Sequence, residues 1–137
     1  MKALLFPGQG VQKIGMLNEI ISSNPEIHDF VAEASEELDF DLIKLITSGP
    51  EEQLNLTEYA QPAILATSIA IVKAKKVNSN ISVTAGLSLG EYSALVYANC
   101  LRFSDALKLV NVRGKLMQSA VPEGTAGMLV VLNMGLE

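Results

Sequence analysis

The chain has 137 residues, of which 49% are hydrophobic and 18% charged, which is enough apolar material for one globular domain with a substantial core. A net charge of −5 with scattered lysines and arginines argues against nucleic-acid binding. The sequence contains no apolar run of about 18 residues, the length that would predict a membrane span. Pro7 and Gly8 cut the N-terminal apolar run too short for a signal peptide, so we expect a cytoplasmic protein.

The first part of the chain predicts one strand followed by helices. Residues 2–6 form a short apolar strand, which ends at Pro7 in a glycine-rich loop over 7–10. Apolar residues then recur at helical spacing, with turn residues between the periodic segments. The expected helices cover residues 11–21, 25–38 and 41–47, and a short one follows the turn that opens at residue 48.

The rest of the chain predicts further helices and two more strands. Thr57 is a suitable N-cap for a long helix over 57–76. The β-branched run at 81–84 predicts a strand, and helical spacing resumes at Leu89. The remaining elements are a helix over 104–120, capped by Ser104, and a last β-branched strand over 128–132.

Strands that alternate with helices predict an α/β protein in which helices flank a parallel sheet. Two core strands and a terminal one make a sheet too small to be covered by five or six helices. We therefore expect further strands downstream of Glu137, which would make this chain the first part of a longer domain.

Ser88 lies in a Gly-x-Ser-x-Gly pattern with Gly86 and Gly90, between the predicted strand at 81–84 and the helix that follows. A chain of this length matches the pattern by chance roughly one time in twenty, so the pattern alone decides nothing. A strand before it and a helix after it are the context of a nucleophile elbow, a sharp turn that exposes a serine hydroxyl above the sheet. We predict a nucleophile at Ser88; the alternative is a glycine-rich helix start that Ser88 merely caps.

Most other reactive side chains have a structural interpretation. Cys100, the single cysteine, excludes an internal disulfide and is expected to be a small buried apolar residue. His28 is expected at the surface or at a helix end, and Glu91 in a first helical turn, where an acid complements the helix dipole. From the sequence alone, Arg113 is an exposed helix residue paired with Asp105 or another carboxylate. We predict no metal site and no cofactor.

Four segments resemble, in order, the motifs of the malonyl-CoA:acyl carrier protein transacylases, the acyltransferases of fatty-acid and polyketide synthesis. They are FPGQGVQ at 6–12, TEYAQPA at 57–63, GLSLGEYSAL at 86–95 and VRGKLMQSAVPEGTAGM at 112–128. The resemblance implies an α/β-hydrolase-like large subdomain with an inserted ferredoxin-like small subdomain. Residues 1–124 would be the N-terminal part of the large subdomain, and residues 125–137 the start of the small one.

The resemblance implies a role for five residues. Ser88 would take malonyl from coenzyme A as an ester and give it to the phosphopantetheine thiol of acyl carrier protein. The backbone N–H groups of Gln9 and Leu89 would form the oxyanion hole, which suits Leu89 because it follows the nucleophile at a helix N-terminus. The planar fork of Arg113 would bind the malonyl carboxylate, and Gln61 matches a glutamine of the cleft. The implied partners are malonyl-CoA and acyl carrier protein, with no nucleic acid and no membrane.

Two departures from the family pattern change these expectations. Leu87 stands where the family usually has a histidine before the nucleophile, which predicts altered substrate contacts. The family supplies the histidine base that activates the serine from far downstream, whereas the one histidine here, His28, lies outside every motif. We therefore expect the chain alone to be nearly inactive and to self-associate through uncovered apolar surface.

Two alternatives stay open from the sequence. One is a non-catalytic interaction module that keeps a carrier-protein or dimer surface without the base. The other is a serine acyl hydrolase of the same fold, which would release the acyl group to water. Arg113 argues against the hydrolase, because a carboxylate clamp indicates a dicarboxylic acyl substrate.

Overall fold

The computed structural model describes residues 1–77, 80–120 and 125, and these contain two strands, each followed by helices. In chain order the elements are β1 (Lys2–Phe6), α1 (Asn18–Ser23), α2 (Pro25–Glu36), α3 (Leu42–Ser48), α4 (Glu51–Asn55), α5 (Thr57–Ala74), β2 (Ile81–Gly86), α6 (Gly90–Tyr97) and α7 (Phe103–Ser119). Within these described ranges, no helix combines the length and apolarity that crossing a bilayer requires.

The two strands form a parallel pair, although α1 to α5 separate them in sequence. The register runs from Ala3 opposite Val83 to Phe6 opposite Gly86, with one irregularity between Lys2 and Ala3. A parallel pair needs such a long crossover connection, so the predicted α/β class with a parallel sheet is confirmed. Because both strands end at the same sheet edge, the loop after β1 and the turn after β2 lie side by side.

Helix α5 is the centre of the core. Every residue from Ala60 to Ala70 is buried, so this helix is covered around its whole circumference rather than on one stripe. It packs against α2, α4, α6 and α7. Pro62 lies inside the helix and is fully buried, and its missing N–H leaves the Glu58 carbonyl oxygen without its usual donor within the helix.

Gly114 lets α7 approach the first turn of α5. A Cβ at this position would stand 2.5 Å from Glu58 Cα and 2.7 Å from the Thr57 carbonyl oxygen, both backbone atoms that cannot rotate away. Next to it, Asn111 Nδ2 donates to the Glu58 carbonyl oxygen at 3.1 Å. The two helices therefore meet backbone to backbone at the point where Arg113 faces α5.

Gly114→Ala should lower the free energy of unfolding by about 1 to 3 kcal/mol, the usual cost of overpacking a close contact. In an exposed helix the same change would instead stabilise by about 1 kcal/mol, so the sign of the effect reports the contact. Urea unfolding of the variant measures it. The matched control is Val112→Ala, because Val112 lies on the same helix with 53% of its surface exposed and should change stability by less than about 0.5 kcal/mol. A stabilising Gly114→Ala would contradict the close approach.

Two apolar side chains of the strand pair are exposed to solvent. Leu5 is 72% exposed and Val83 is 50% exposed. A cavity of about 320 Å³ runs beside β1, and its walls are mostly apolar, including Phe6, Ile64 and Ile71. Apolar surface of this kind on a sheet normally packs against another element or a partner. The two described strands therefore leave part of the sheet uncovered.

The helix expected over 11–21 is wrong at its start. Helix α1 covers only Asn18–Ser23, and turns occupy the segment before it. The reason is tertiary: the Gly15 N–H donates to the Ile46 carbonyl oxygen at 2.8 Å, which ties this segment to α3 in a non-helical path. Helical spacing of apolar residues does not reveal such a tie.

Two predicted helix caps and the environment of the cysteine are also wrong. The N-caps of α5 and α7 are Leu56 and Arg102, both in extended backbone, so Thr57 is the first residue of α5 and Ser104 already lies within α7. Cys100 is exposed rather than buried, because it lies in the surface connection between α6 and α7. The strand expected over 128–132 lies outside the described residues.

Candidate active site

Ser88 lies on a sharp turn between β2 and α6. Its φ is +49°, a conformation that non-glycine residues adopt rarely and that usually needs support from the surroundings. The support comes from two close backbone approaches: a Cβ at Gly86 would overlap the backbone of Gly90, and a Cβ at Gly90 would overlap the carbonyl oxygen of Phe6. The Ser88 side chain is exposed at the end of this turn. The structure thus confirms the predicted order of strand, sharp turn and helix around Ser88.

The glycine-rich loop after β1 lies against this turn. A Cβ at Gly8 would stand 2.9 Å from the Leu87 carbonyl oxygen, and the Leu87 N–H donates to the Phe6 carbonyl oxygen at 3.2 Å. Gln9 follows in this loop, and its Nε2 donates to Thr57 Oγ1 at 3.3 Å. In the part of the chain that the structure describes, the backbone N–H groups of Gln9 and Leu89 donate to no protein acceptor. Both donors remain available to a ligand.

Arg113 joins the turn that carries Ser88 to the buried helix α5. Its Nη2 donates to Ser88 Oγ at 2.9 Å, and its Nη1 donates to Gln61 Oε1 at 2.6 Å. The guanidinium carbon lies 5.8 Å from the centre of the Tyr92 ring, within cation–π range. Residues from α5, the elbow, α6 and α7 therefore converge on one guanidinium group.

Arg113 has no carboxylate partner among residues 1–77, 80–120 and 125. The alternative of a pair with Asp105 is wrong, because Asp105 Oδ2 accepts from Arg102 Nε at 2.7 Å instead. An arginine has five N–H donors, and in the described part of the chain Arg113 donates to two acceptors, Gln61 Oε1 and Ser88 Oγ. The half-buried guanidinium thus lies next to the Ser88 hydroxyl, and no carboxylate of the described residues compensates its charge.

Gln61 is fully buried and uses both ends of its amide. Its Oε1 accepts from Arg113, and its Nε2 lies 3.3 Å from Met117 Sδ. A buried amide with partners on both sides cannot turn without losing a hydrogen bond, which fixes the arginine it supports. The structure thus brings together Ser88, Gln61 and Arg113, three of the five predicted site residues.

Two contacts of this site are absent from the sequence predictions. Tyr92 faces Arg113, and Met117 faces Gln61. A signal existed for Met117, which lies four residues after Arg113 on the same helix, a spacing that places both side chains on one helix face. Tyr92 had no such signal, because Ser88 lies in the turn before α6. That spacing does not name their partners, which come from other elements.

The remaining predicted positions lie apart from these contacts or beside them. The His28 side chain is 52% exposed on α2, where Nδ1 lies 3.3 Å from Asp29 Oδ1, as expected for a surface histidine. Glu91 is in the first turn of α6, and Leu87 is 73% exposed beside Ser88. Among the described residues, no cluster of His, Cys, Asp and Glu could hold a metal ion.

Residues 3–134 match the family model of the acyl transferase domain. The malonyl CoA-acyl carrier protein transacylase of Haemophilus influenzae is 49% identical over 138 residues, which cover 98% of this chain and 44% of the relative. The enzyme of the same name from Escherichia coli K12 is 46% identical over 134 residues. The chain therefore spans less than half the length of the curated relatives it matches.

Two solved malonyltransferase structures are also similar to this chain over most of its length. An acyl carrier protein S-malonyltransferase from Vibrio cholerae superposes with a TM-score of 0.84 at 49% identity, over 90% of this chain and 41% of that one. A chain from the holo complex of a type II PKS acyl-carrier protein with its malonyl-transacylase gives a TM-score of 0.85 at 51% identity, over 90% of this chain and 40% of that one.

Proposed function

Because the chain belongs to the acyl transferase domain family, we propose that the protein of which it is part moves malonyl from coenzyme A to acyl carrier protein through an ester on Ser88. One observation carries the proposal: the guanidinium group of Arg113, which has no carboxylate partner among the described residues, donates to the hydroxyl of the strained Ser88 at 2.9 Å. A nucleophile beside a carboxylate-binding group suits an acyl donor with a free carboxylate, and malonyl is such an acyl group. The names of the similar enzymes, and the carrier protein in the complex, agree with this chemistry.

In the first half-reaction, Ser88 Oγ attacks the thioester carbonyl carbon of malonyl-CoA. A C–O bond forms, the C–S bond breaks, and coenzyme A leaves as a thiol with the proton that the serine loses. In the second half-reaction, the phosphopantetheine thiol of the carrier protein attacks the ester carbonyl carbon. A C–S bond forms, the ester C–O bond breaks, and Ser88 Oγ takes the proton that the thiol loses. Each half-reaction passes through a tetrahedral oxyanion, which the free N–H groups of Gln9 and Leu89 would stabilise.

The Ser88 hydroxyl is arranged to give up its proton. Arg113 only donates, so the bond to Ser88 uses a lone pair of Oγ and leaves the hydroxyl hydrogen free for a base. The sequence contains one histidine, and it is exposed on α2 outside the site. We therefore assign the base to a residue outside this chain, in the portion of the relatives' length that the chain does not span.

Arg113 would exchange one partner for another during the reaction. In the ligand-free site, Gln61 holds Nη1 while Nη2 rests on Ser88 Oγ. Once Oγ carries the acyl group, the malonyl carboxylate offers Nη2 a charged acceptor, which makes a stronger hydrogen bond than a hydroxyl does. The contact with Gln61 would keep the fork in place during this exchange.

The two alternatives explain less of this geometry. A non-catalytic interaction module gives no reason to hold Ser88 at positive φ with its hydroxyl in contact with Arg113, since strain of this kind needs support from its surroundings. A hydrolase with a plain acyl substrate would leave the half-buried guanidinium of Arg113 without a charged partner. Malonyl transfer accounts for both features.

The experiment uses a fusion enzyme, defined as residues 1–137 of this chain followed by the part of the Haemophilus influenzae relative beyond the matched region. We expect it to transfer malonyl from malonyl-CoA to holo acyl carrier protein, with little release of malonate to water. The native relative, assayed in parallel, is the positive control. A folded fusion enzyme that only hydrolyses malonyl-CoA, or forms no acyl-enzyme, would contradict the proposal.

The chain alone should be nearly inactive and should self-associate. The physical reasons are the missing base and two exposed apolar strand residues, Val83 and Leu5, of which Leu5 also lines the cavity along β1. Light scattering measures the association, and Leu5→Glu with Val83→Glu should reduce it. Leu109→Glu is the matched control, since Leu109 is 50% exposed on α7, away from the sheet. A monodisperse monomer with full transacylase turnover would contradict both reasons.

A further inference from the structure

The glycine-rich loop after β1 is held by a side chain that the proposed reaction does not use. Gln12 Oε1 accepts from the Gly10 N–H at 2.8 Å, and Gln12 Nε2 donates to Asn55 Oδ1 at 2.9 Å. One half-buried amide thus ties the loop to the last residue of α4. Both bonds have good length, and the second links residues 43 positions apart.

The tie acts on the residue next to a proposed oxyanion donor. Gln9 stands between Gly8, which lies against the Leu87 carbonyl of the nucleophile turn, and Gly10, which Gln12 holds. The Gln9 side chain bonds Thr57, two residues after Asn55, so the same corner of the fold receives both ties. The path of the Gln9 backbone is therefore fixed from both sides.

We propose that Gln12 and Asn55 are positioning residues for the backbone N–H of Gln9. The inference rests on the proposed function, in which that N–H stabilises the tetrahedral oxyanion. Such a donor acts only if it is held within a few tenths of an ångström of its productive position before the reaction. Glycines at 8 and 10 give the loop more backbone freedom than other residues would, so an external tie is needed to hold it.

The expected consequence is a change in kcat without a matching change in KM. A loosened donor weakens an interaction made chiefly in the transition state, whereas binding of ground-state malonyl-CoA does not depend on it. Complete removal of one oxyanion donor costs about 100-fold to 1,000-fold in other enzymes, so loss of its tie should cost less, about 10-fold to 100-fold.

The test compares two Gln12 variants in the fusion enzyme. Gln12→Met keeps the length of the side chain but makes neither hydrogen bond, and should lower kcat about 10-fold to 100-fold. Gln12→Glu still accepts from the Gly10 N–H and can accept from the Asn55 amide in its other orientation, so it should recover most of the rate. Gln53→Met, on neighbouring α4 and outside this network, is the matched control and should leave kcat unchanged.

Two further measurements separate a positioning role from a loss of fold. The Kd of malonyl-CoA, measured in the Ser88→Ala background, should not change with Gln12→Met. The double variant Gln12→Met with Asn55→Ala should have a kcat no lower than that of the slower single variant, because both substitutions remove the same tie. If Gln12→Met fails to fold, Asn55→Ala cuts the same tie from an exposed position and decides the question.

The outcomes distinguish this inference from the proposed function. If the unaltered fusion enzyme transfers malonyl and Gln12→Met keeps full kcat, the positioning role is wrong and the proposed function stands. If Gln12→Met raises KM and leaves kcat alone, the loop serves substrate binding and the inference is overturned. If the unaltered fusion enzyme does not acylate Ser88, the proposed function itself fails.

Discussion

The Ser88→Ala variant of the fusion enzyme should transfer malonyl several orders of magnitude more slowly than the unaltered enzyme, as other nucleophile deletions do. Alanine has no atom that can form the ester, so only the binding and oxyanion contributions remain. The backbone should keep its shape, because serine and alanine both have a Cβ and pay a similar cost at a φ of +49°. The measurement is kcat/KM for transfer from malonyl-CoA to holo acyl carrier protein.

Ser82→Ala is the matched control for this prediction. Ser82 lies on β2, the strand that leads into the Ser88 turn, where it is exposed to solvent six positions before Ser88. Its loss should leave the transfer rate unchanged, which would assign the effect of Ser88→Ala to the elbow position. A Ser88→Ala enzyme with near-normal transfer would show that the strained turn serves another purpose.

Arg113→Ala should change the choice between acyl groups. Transfer from malonyl-CoA should lose about 2 to 5 kcal/mol, the range for truncating one partner of a buried charge pair. This range corresponds to a decrease of about 30-fold to several thousand-fold. Acetyl-CoA differs by lacking the carboxylate and would leave the arginine unpaired in the unaltered enzyme, so its transfer should hold or improve.

The ratio of the two kcat/KM values is the decisive readout for Arg113, since discrimination is a difference in transition-state binding. Arg113 also donates to Ser88 Oγ, and losing that bond affects the nucleophile in both reactions alike. The ratio cancels this shared effect. Arg102→Ala is the matched control, because Arg102 precedes the same helix, is exposed and pairs with Asp105. Equal losses for both substrates in Arg113→Ala would mean that the residue is structural and that the carboxylate binds elsewhere.

Local features of the site could be predicted from the residues themselves. The β-branched run before Ser88, the flanking glycines and the helical spacing after Leu89 together specify a strand, a turn and a helix, as β2 and α6 show. The reason is that the interactions which fix such a turn lie within a few residues: Gly86 and Gly90 touch each other across it. The same holds for Glu91 in the first turn of α6.

Contacts between distant segments could not be predicted in this way. Arg113 meets Gln61 52 positions away and Ser88 25 positions away, because α7 crosses α5 where Gly114 allows a close approach. From the sequence alone the expected structural partner of Arg113 is Asp105 or another carboxylate, and the pair with Asp105 is wrong. The grouping of Ser88, Gln61 and Arg113 followed only from the resemblance to a family.

The wrong predictions have a common physical origin. The segment before α1 follows a tertiary tie from Gly15 to Ile46 in place of its helical spacing. Cys100 is exposed because its connection lies on the surface, whereas burial was expected from residue type. Residue-type preferences are weak compared with such placement in the fold, which becomes known only when the elements are packed.

The most direct test of the proposed mechanism is to map the residue that becomes acylated. The fusion enzyme is incubated with malonyl-CoA without carrier protein, digested, and analysed by mass spectrometry for the peptide that carries the malonyl group. We predict one modified peptide, with the ester on Ser88, and no modification in Ser88→Ala. A malonyl group on another residue that persists in Ser88→Ala would contradict the assignment of Ser88 as the nucleophile.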